Sequence, residues 1–169
     1  MHTAAGQRAS AGGVLGRSAF TQNDSWIHSL PKFNVSGQGI NWLWLTAGAT
    51  WVMGDGQSFD AALADCSHAS LVPTRLWRLL QSGVVPEKLT DVLLGGAQIS
   101  PTLTEQAECA GIRCWCGYGL TETASTVTAK RADGSTSVGQ PLSGKEVKIV
   151  DHEILIRADS LASSYWKNG

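Results

Sequence analysis

The sequence lacks a long hydrophobic run. Its longest apolar stretch, Ile40–Ala49, is broken by Asn41, Thr46 and Gly48, and it falls well short of the ~20 residues that a membrane helix needs. The start of the chain has no continuous apolar stretch followed by a small-residue cleavage site. No secretion signal is therefore expected, and the chain reads as cytoplasmic.

Charge is sparse too. Lys and Arg number 13 and Asp and Glu 14, for a formal net charge of -1 with no block of like sign. Nucleic acid and anionic membrane are both unfavoured as partners, because each needs a basic patch. Four cysteines, Cys66, Cys109, Cys114 and Cys116, form no C-x-x-C doublet, and His68 and His152 stand far apart. A zinc site lacks its ligand spacing, so free thiols are expected, three of them buried or half-buried around one strand. Neither an internal repeat nor a low-complexity segment is visible.

What is present suits one ordinary packed domain: 169 residues, 43% of them hydrophobic. Residues 1–18 permit a helix, Asp24–Leu30 reads as a strand stopped by Pro31, and Pro31–Gly39 as a loop. Ile40–Leu45 suits a buried helix ended by Gly48, followed by a strand over Ala49–Met53. Helix over Phe59–Asp65, strand over Ala69–Val72 and a helix from Thr74 with Leu76, Leu79 and Leu80 on one face continue the alternation. So do a strand over Asp91–Leu94, a helix over Ser100–Ala110 with Ser100 as its cap, and a strand over Ile112–Cys116. The fold class expected is α/β, with a parallel sheet. After Thr126 only short strands are signalled, at Thr126–Ala129, Glu146–Val150 and Glu153–Arg157. A subdomain boundary is expected near Lys130, dividing a β/α segment, 1–130, from the start of a small β subdomain, 131–169.

Gly139-Gln-Pro-Leu-Ser-Gly144-Lys145 has the spacing of a phosphate loop up to its last position. Glu146 stands where Ser or Thr should bind magnesium, and Val147, Ile149 and Val150 begin a strand where a helix is needed. A plain turn is expected there.

Two other segments each follow an expected strand: Leu93-Leu94-Gly95-Gly96-Ala97 and Cys116-Gly117-Tyr118-Gly119-Leu120-Thr121-Glu122. In parallel sheets ligands bind beyond the carboxyl ends of strands. Glycines let a ligand reach the backbone, Tyr118 offers a flat face for a base, and Thr121 and Glu122 supply a hydroxyl and a carboxylate. Taken singly, Gly95-Gly96 reads first as an ordinary strand-to-helix turn, and Glu122 as an ordinary surface acid.

Gly117-Tyr118-Gly119-Leu120-Thr121-Glu122 resembles the signature of the adenylate-forming, AMP-dependent acid-CoA ligase family. Gly95-Gly96-Ala97 falls where that family carries a Gly-Gly-Ala turn. The likeness extends through Ser29–Gly39, His68–Thr74, Val138–Pro141 and Tyr165–Gly169. It is strongest to the branch that serves menaquinone biosynthesis, whose acid is a succinylbenzoate. The resemblance implies the central part of the large N-terminal domain, and a reaction that joins a small-molecule carboxylate to AMP before passing it to coenzyme A. The substrates and cofactors implied are ATP, Mg and coenzyme A. Tyr118, Gly117 and Gly119, with Gly95, Gly96 and Ala97, would bind the nucleotide. Thr121 and Glu122 would be catalytic, Glu122 as the Mg ligand, and Ser36, Gly37, Ser125 and Thr126 would face the acid, although helix packing is an equal role for the last two.

The chain departs from the family in places. Asn34 stands at a histidine position, so a catalytic contribution there loses a titrating ring. Lys32 replaces an apolar residue, and Leu43 stands where close relatives carry Arg between two tryptophans. The family's Gly-rich phosphate loop would precede His2-Thr3, and its ribose-binding aspartate, hinge and C-terminal domain with the catalytic lysine would follow Gly169. Three readings are open: a segment of a working ligase, a decayed remnant, or a nucleotide-binding module without catalysis. Open sheet edges and exposed Trp42 and Trp44 are also expected.

Overall fold

A computed structural model describes residues 1–54, 56 and 58–167. Asn168 and Gly169, the end of the family-like Tyr165–Gly169 segment, lie outside the described residues.

Strand and helix alternate along the chain as α1 (Ala4–Leu15), β1 (Ser25–Ile27), α2 (Val35–Ala47), β2 (Thr50–Val52), α3 (Phe59–Leu63) and β3 (His68–Leu71). Next come α4 (Pro73–Gln81), β4 (Asp91–Leu94), α5 (Pro101–Cys109) and β5 (Arg113–Leu120). A 3-10 turn at Thr121–Thr123 then leads into β6 (Ser125–Arg131), β7 (Gln140–Pro141), β8 (Lys145–Val150) and β9 (Glu153–Ala158). Seven strands form one sheet in the order β2-β1-β3-β4-β5-β6-β7, while β8 and β9 make a separate pair. The five strands from β2 to β5 run parallel, and β6 and β7 join antiparallel.

The period-two pattern of the strands sorts their side chains into two cores. On one face Ile27, Val92, Leu94 and Cys114 pack with Leu63, Leu76 and Ala107 of the helices. On the other, Trp26 and Ala129 pack with Ala11 and Val14 of α1 and Ile40 and Leu43 of α2. Helix α4 follows the expected stripe, with Leu76 and Leu79 buried and Leu80 half-buried. Thr3 and Ser58 accept backbone N–H bonds at the starts of α1 and α3. Ser100 occupies the cap position of α5, but its side chain accepts no cap bond.

Four expectations change. Pro31–Gly39 is not all loop, because α2 already begins at Val35. The reason is Gly37, where an added Cβ would lie 2.1 Å from the Pro31 carbonyl oxygen; its bare backbone lets the first turn close onto Leu30-Pro31, a contact that helix propensity does not register. The strand expected over Ile112–Cys116 runs on to Leu120, since β6 pairs with it as far as Leu120↔Ser125. The expected boundary near Lys130 falls inside β6. Sheet membership instead changes between Pro141 and Lys145, because β7 still pairs with β6 through Thr128↔Pro141. Trp42 and Trp44 are half-buried, with Trp44 stacked on Trp51 at 5.4 Å and 6°.

The phosphate-loop-like segment forms β7, a turn and the start of β8, and no helix follows it. The cysteines are free, with Cys66, Cys114 and Cys116 buried and Cys109 exposed. Burial pushes the Cys114 thiol up to about 12 and that of Cys66 to about 11, so neither is a ready nucleophile. Among the described residues no helix is long and apolar enough to cross a membrane.

Candidate functional site

The carboxyl ends of β3, β4 and β5 lie side by side in the sheet, where Leu71 pairs with Leu94 and Leu94 with Cys116. Beyond β4 the chain turns at Gly95 and Gly96, while β5 carries the glycine-tyrosine signature along its last residues. Two cavities open at this edge. The first, of about 330 Å³, is lined by Gly95 and Gly96, by Gly117 to Thr121, and by Ser125 and Thr126. Asn34, Ser36 and Leu43 of the α2 region close its other side. The second, of about 390 Å³, is lined by Gly96, Ala97, Gly117, Tyr118, Gly119 and the Ser135–Val138 segment. Gly96, Gly117, Tyr118 and Gly119 belong to both. Half-buried Tyr118 is therefore a partition between two adjoining spaces.

Local backbone chemistry sets this arrangement. The β5–β6 register slips between Tyr118↔Thr128 and Gly119↔Thr126, a bulge that re-aims the strand end. At Gly119 an added Cβ would lie 1.9 Å from the Ser125 carbonyl oxygen, so only glycine allows the two strands to close here. The turn that follows is strained: Ala124 and Ser125 both have positive φ, 52° and 90°. Thr123 stitches it, its Oγ1 accepting from the Leu120 N–H at 3.3 Å and lying 3.1 Å from the Ser125 carbonyl.

Not every expected residue reaches a cavity. Gly37 is buried against Leu30-Pro31 and lines neither one. Glu122 also lines neither; its Oε1 accepts a 3.1 Å hydrogen bond from the Tyr165 hydroxyl, a bond that raises the phenol's pKa. Among the described residues no group of three His, Cys, Asp or Glu side chains is placed to hold a metal. Asn34 sits at the cap position of α2 with no cap bond from its side chain, leaving the amide free to face the first cavity. Neither cavity is lined by a charged side chain among the described residues.

Several lining residues escape a sequence reading. Ser10, Ala11 and Val14 of α1 and Ser70 to Val72 at the end of β3 line the first cavity. The strand-end rule would have found the latter, whereas nothing local marks the former. Ser135 to Val138 in the second cavity read as a turn and no more.

The sequence profile described as AMP-binding enzyme matches residues 1–166. The chain belongs to the AMP-binding enzyme family. It is 56% identical over 169 residues to the 2-succinylbenzoate–CoA ligase of Salmonella typhimurium, covering 100% of this chain and 37% of that protein. To the Escherichia coli K12 2-succinylbenzoate–CoA ligase it is 57% identical over 171 residues, again covering 100% and 37%. The AMP-binding fold is equally plain in solved structures. The R195K variant of E. coli MenE with bound OSB-AMS superposes with a TM-score of 0.94 at 57% identity, over 99% of this chain and 37% of that one. The Bacillus subtilis O-succinylbenzoate coenzyme A synthetase (MenE), in complex with ATP and magnesium ion, gives 0.86 at 26% identity, over 99% and 39%. The chain thus spans little more than a third of the length of the AMP-binding relatives it matches.

Proposed function

We propose that this chain is the part of a 2-succinylbenzoate–CoA ligase that cradles the acyl-adenylate, in an enzyme serving menaquinone biosynthesis. The observation that carries the reading is the pair of cavities meeting at Gly96, Gly117, Tyr118 and Gly119. Two spaces separated by one aromatic ring suit a ligand with two unlike halves, an acyl group joined to a nucleotide.

In the reaction, a carboxylate oxygen attacks the α-phosphorus of ATP and pyrophosphate leaves; the thiolate of coenzyme A then attacks the acyl carbon and AMP leaves. Adenylation is needed because a free carboxylate is a poor electrophile. On this reading the adenine lies against Tyr118 in the second cavity, beside Gly96 and Ala97, and the acid occupies the first. Gly95 and the open backbone of the β5 end let the mixed anhydride lie close to the chain. Thr121 offers its hydroxyl to the reacting carboxylate or phosphate, and the Asn34 amide serves as a neutral donor where a histidine is otherwise used. Ser36, Ser125 and Thr126 present hydroxyls to the far end of the acid. Glu122, next in sequence to Thr121, would hold a magnesium ion bound mainly by phosphates, the habit of that ion. When bound, magnesium neutralises phosphate charge.

The uncharged linings favour this binding role over catalysis by these residues alone. Calorimetric titration of the chain with AMP, with the acid, and with a sulfamoyl mimic of the acyl-adenylate tests the reading. The mimic should bind more tightly than either half. A mimic bound no better than the acid alone would defeat it.

A further inference from the structure

Lys145 is the residue that completes the failed phosphate-loop pattern, and it has no place in the mechanism above. Its side chain is buried at 7% exposure, with no carboxylate bridged to it among the described residues. The ammonium instead donates to the Thr123 carbonyl at 3.2 Å, to the Ser10 hydroxyl at 3.2 Å, and to the Thr126 carbonyl. Ser10 in turn donates to the Ala124 carbonyl at 2.7 Å, and Ser160 to that of Thr123 at 2.7 Å. Three carbonyls of one strained turn are thereby held from behind by β8, α1 and the segment after β9. Burial of a charge is costly unless such partners are supplied, and it pushes the Lys145 pKa down to about 8.

We infer that Lys145 is a positioning residue: its buried ammonium ties down the Thr123–Thr126 turn and so fixes Thr121, Ser125 and Thr126 on the wall of the first cavity. The claim rests on the acyl-adenylate reading for its functional consequence. Two consecutive non-glycine residues at positive φ persist only where their surroundings over-determine them. An ammonium has three donors for three acceptors, whereas an apolar side chain would take this donor from the buried Thr126 carbonyl and leave that of Thr123 to Ser160 alone.

The experiment compares Lys145→Met with Lys145→Arg and with Leu142→Ala, a truncation in the neighbouring core that removes none of the turn's side-chain hydrogen bonds. Melting temperature, affinity for the sulfamoyl acyl-adenylate mimic, and amide exchange over residues 120–127 are read for each. Lys145→Met should bind the mimic about tenfold more weakly and exchange those amides about tenfold faster, as the loss of charge-assisted bonds implies. Lys145→Arg should recover most of the affinity, and Leu142→Ala should lower melting without moving it. Equal loss of affinity in Lys145→Met and Leu142→Ala at matched stability would overturn the inference, leaving Lys145 merely structural. If Lys145→Met does not fold, Lys145→Gln takes its place under the same comparison. Should the unmodified chain bind no mimic, the acyl-adenylate reading fails, and amide exchange alone judges the clamp: unchanged protection over 120–127 overturns it and faster exchange sustains it.

Discussion

Ser125 Oγ lies 3.4 Å from Ser36 Oγ, so strand β6 and helix α2 meet through a pair of hydroxyls on the wall of the first cavity. Both groups can donate to an anionic oxygen, yet no cation lines the same wall among the described residues. Leu43, about two turns further along α2 and 4% exposed, occupies the space where a guanidinium could complete the set. Leu43→Arg should therefore tighten binding of an acyl-adenylate mimic that carries a second carboxylate by about tenfold, the worth of one charge-assisted bond. The monomethyl ester of the same mimic should gain nothing. An equal gain for acid and ester would mean that Arg acts by contact area and not by charge.

Gly119→Ala should open the site by forcing strands apart. The added Cβ would sit 1.9 Å from the Ser125 carbonyl carbon–oxygen unit, and backbone there cannot yield as a flexible side chain would. A loss of about 1–3 kcal/mol in unfolding free energy is expected from such overpacking, with a larger effect on mimic affinity. Urea denaturation beside calorimetry measures both, and a variant with unchanged stability would show that β5 and β6 are not held in the register described.

The β/α order was readable because each strand carries its own signal: Asp91–Leu94 was expected as β4 and formed with those bounds. The position of the motif glycines at neighbouring strand ends was readable for the same reason, since strand ends in a parallel sheet follow from the alternation. Long-range pairing was not readable. The extension of β5 to Leu120 depends on β6 returning antiparallel, and the start of α2 at Val35 depends on Gly37 meeting the backbone at Pro31. Nothing in either segment's own pattern specifies those partners. Lys145 is the sharpest case, for a lysine in a turn reads as solvated until Thr123, Thr126 and Ser10 are seen around it.

By itself the chain should not turn over. Displacing pyrophosphate requires neutralising phosphoryl charge, and neither cavity offers a cationic side chain among the described residues. A coupled pyrophosphate-release assay with ATP, magnesium, the acid and coenzyme A should match the protein-free blank. Release above that blank, lost in Thr121→Ala, would show that these residues carry the chemistry unaided.

Stability should fall as the solution becomes mildly acidic, through a network at the opposite ends of the strands from the site. His68 is 3% exposed, its Nδ1 2.8 Å from the Ser67 hydroxyl and its Nε2 3.7 Å from Asp91 Oδ2. Burial lowers its pKa below the ordinary 6.5, against the pull of Asp91 and Asp24 and with help from Arg113. Burial would raise Asp91, but hydrogen bonds from Arg113 and Trp115 outweigh it and hold that carboxyl below 3.8. The unfolded chain therefore takes up a proton at His68 that the folded chain refuses, beginning near pH 6.5. Stability from this group is fully present above that pH and is lost as pH falls through the lower folded value. Asp91 adds a second decline only below pH 3.8. Urea midpoints should thus drop between pH 7.5 and 5.5 in the native chain and stay flatter in His68→Gln. The same slope in both would place the acid sensitivity elsewhere, and would mean that the folded protein accepts a proton at His68 as readily as the open chain does.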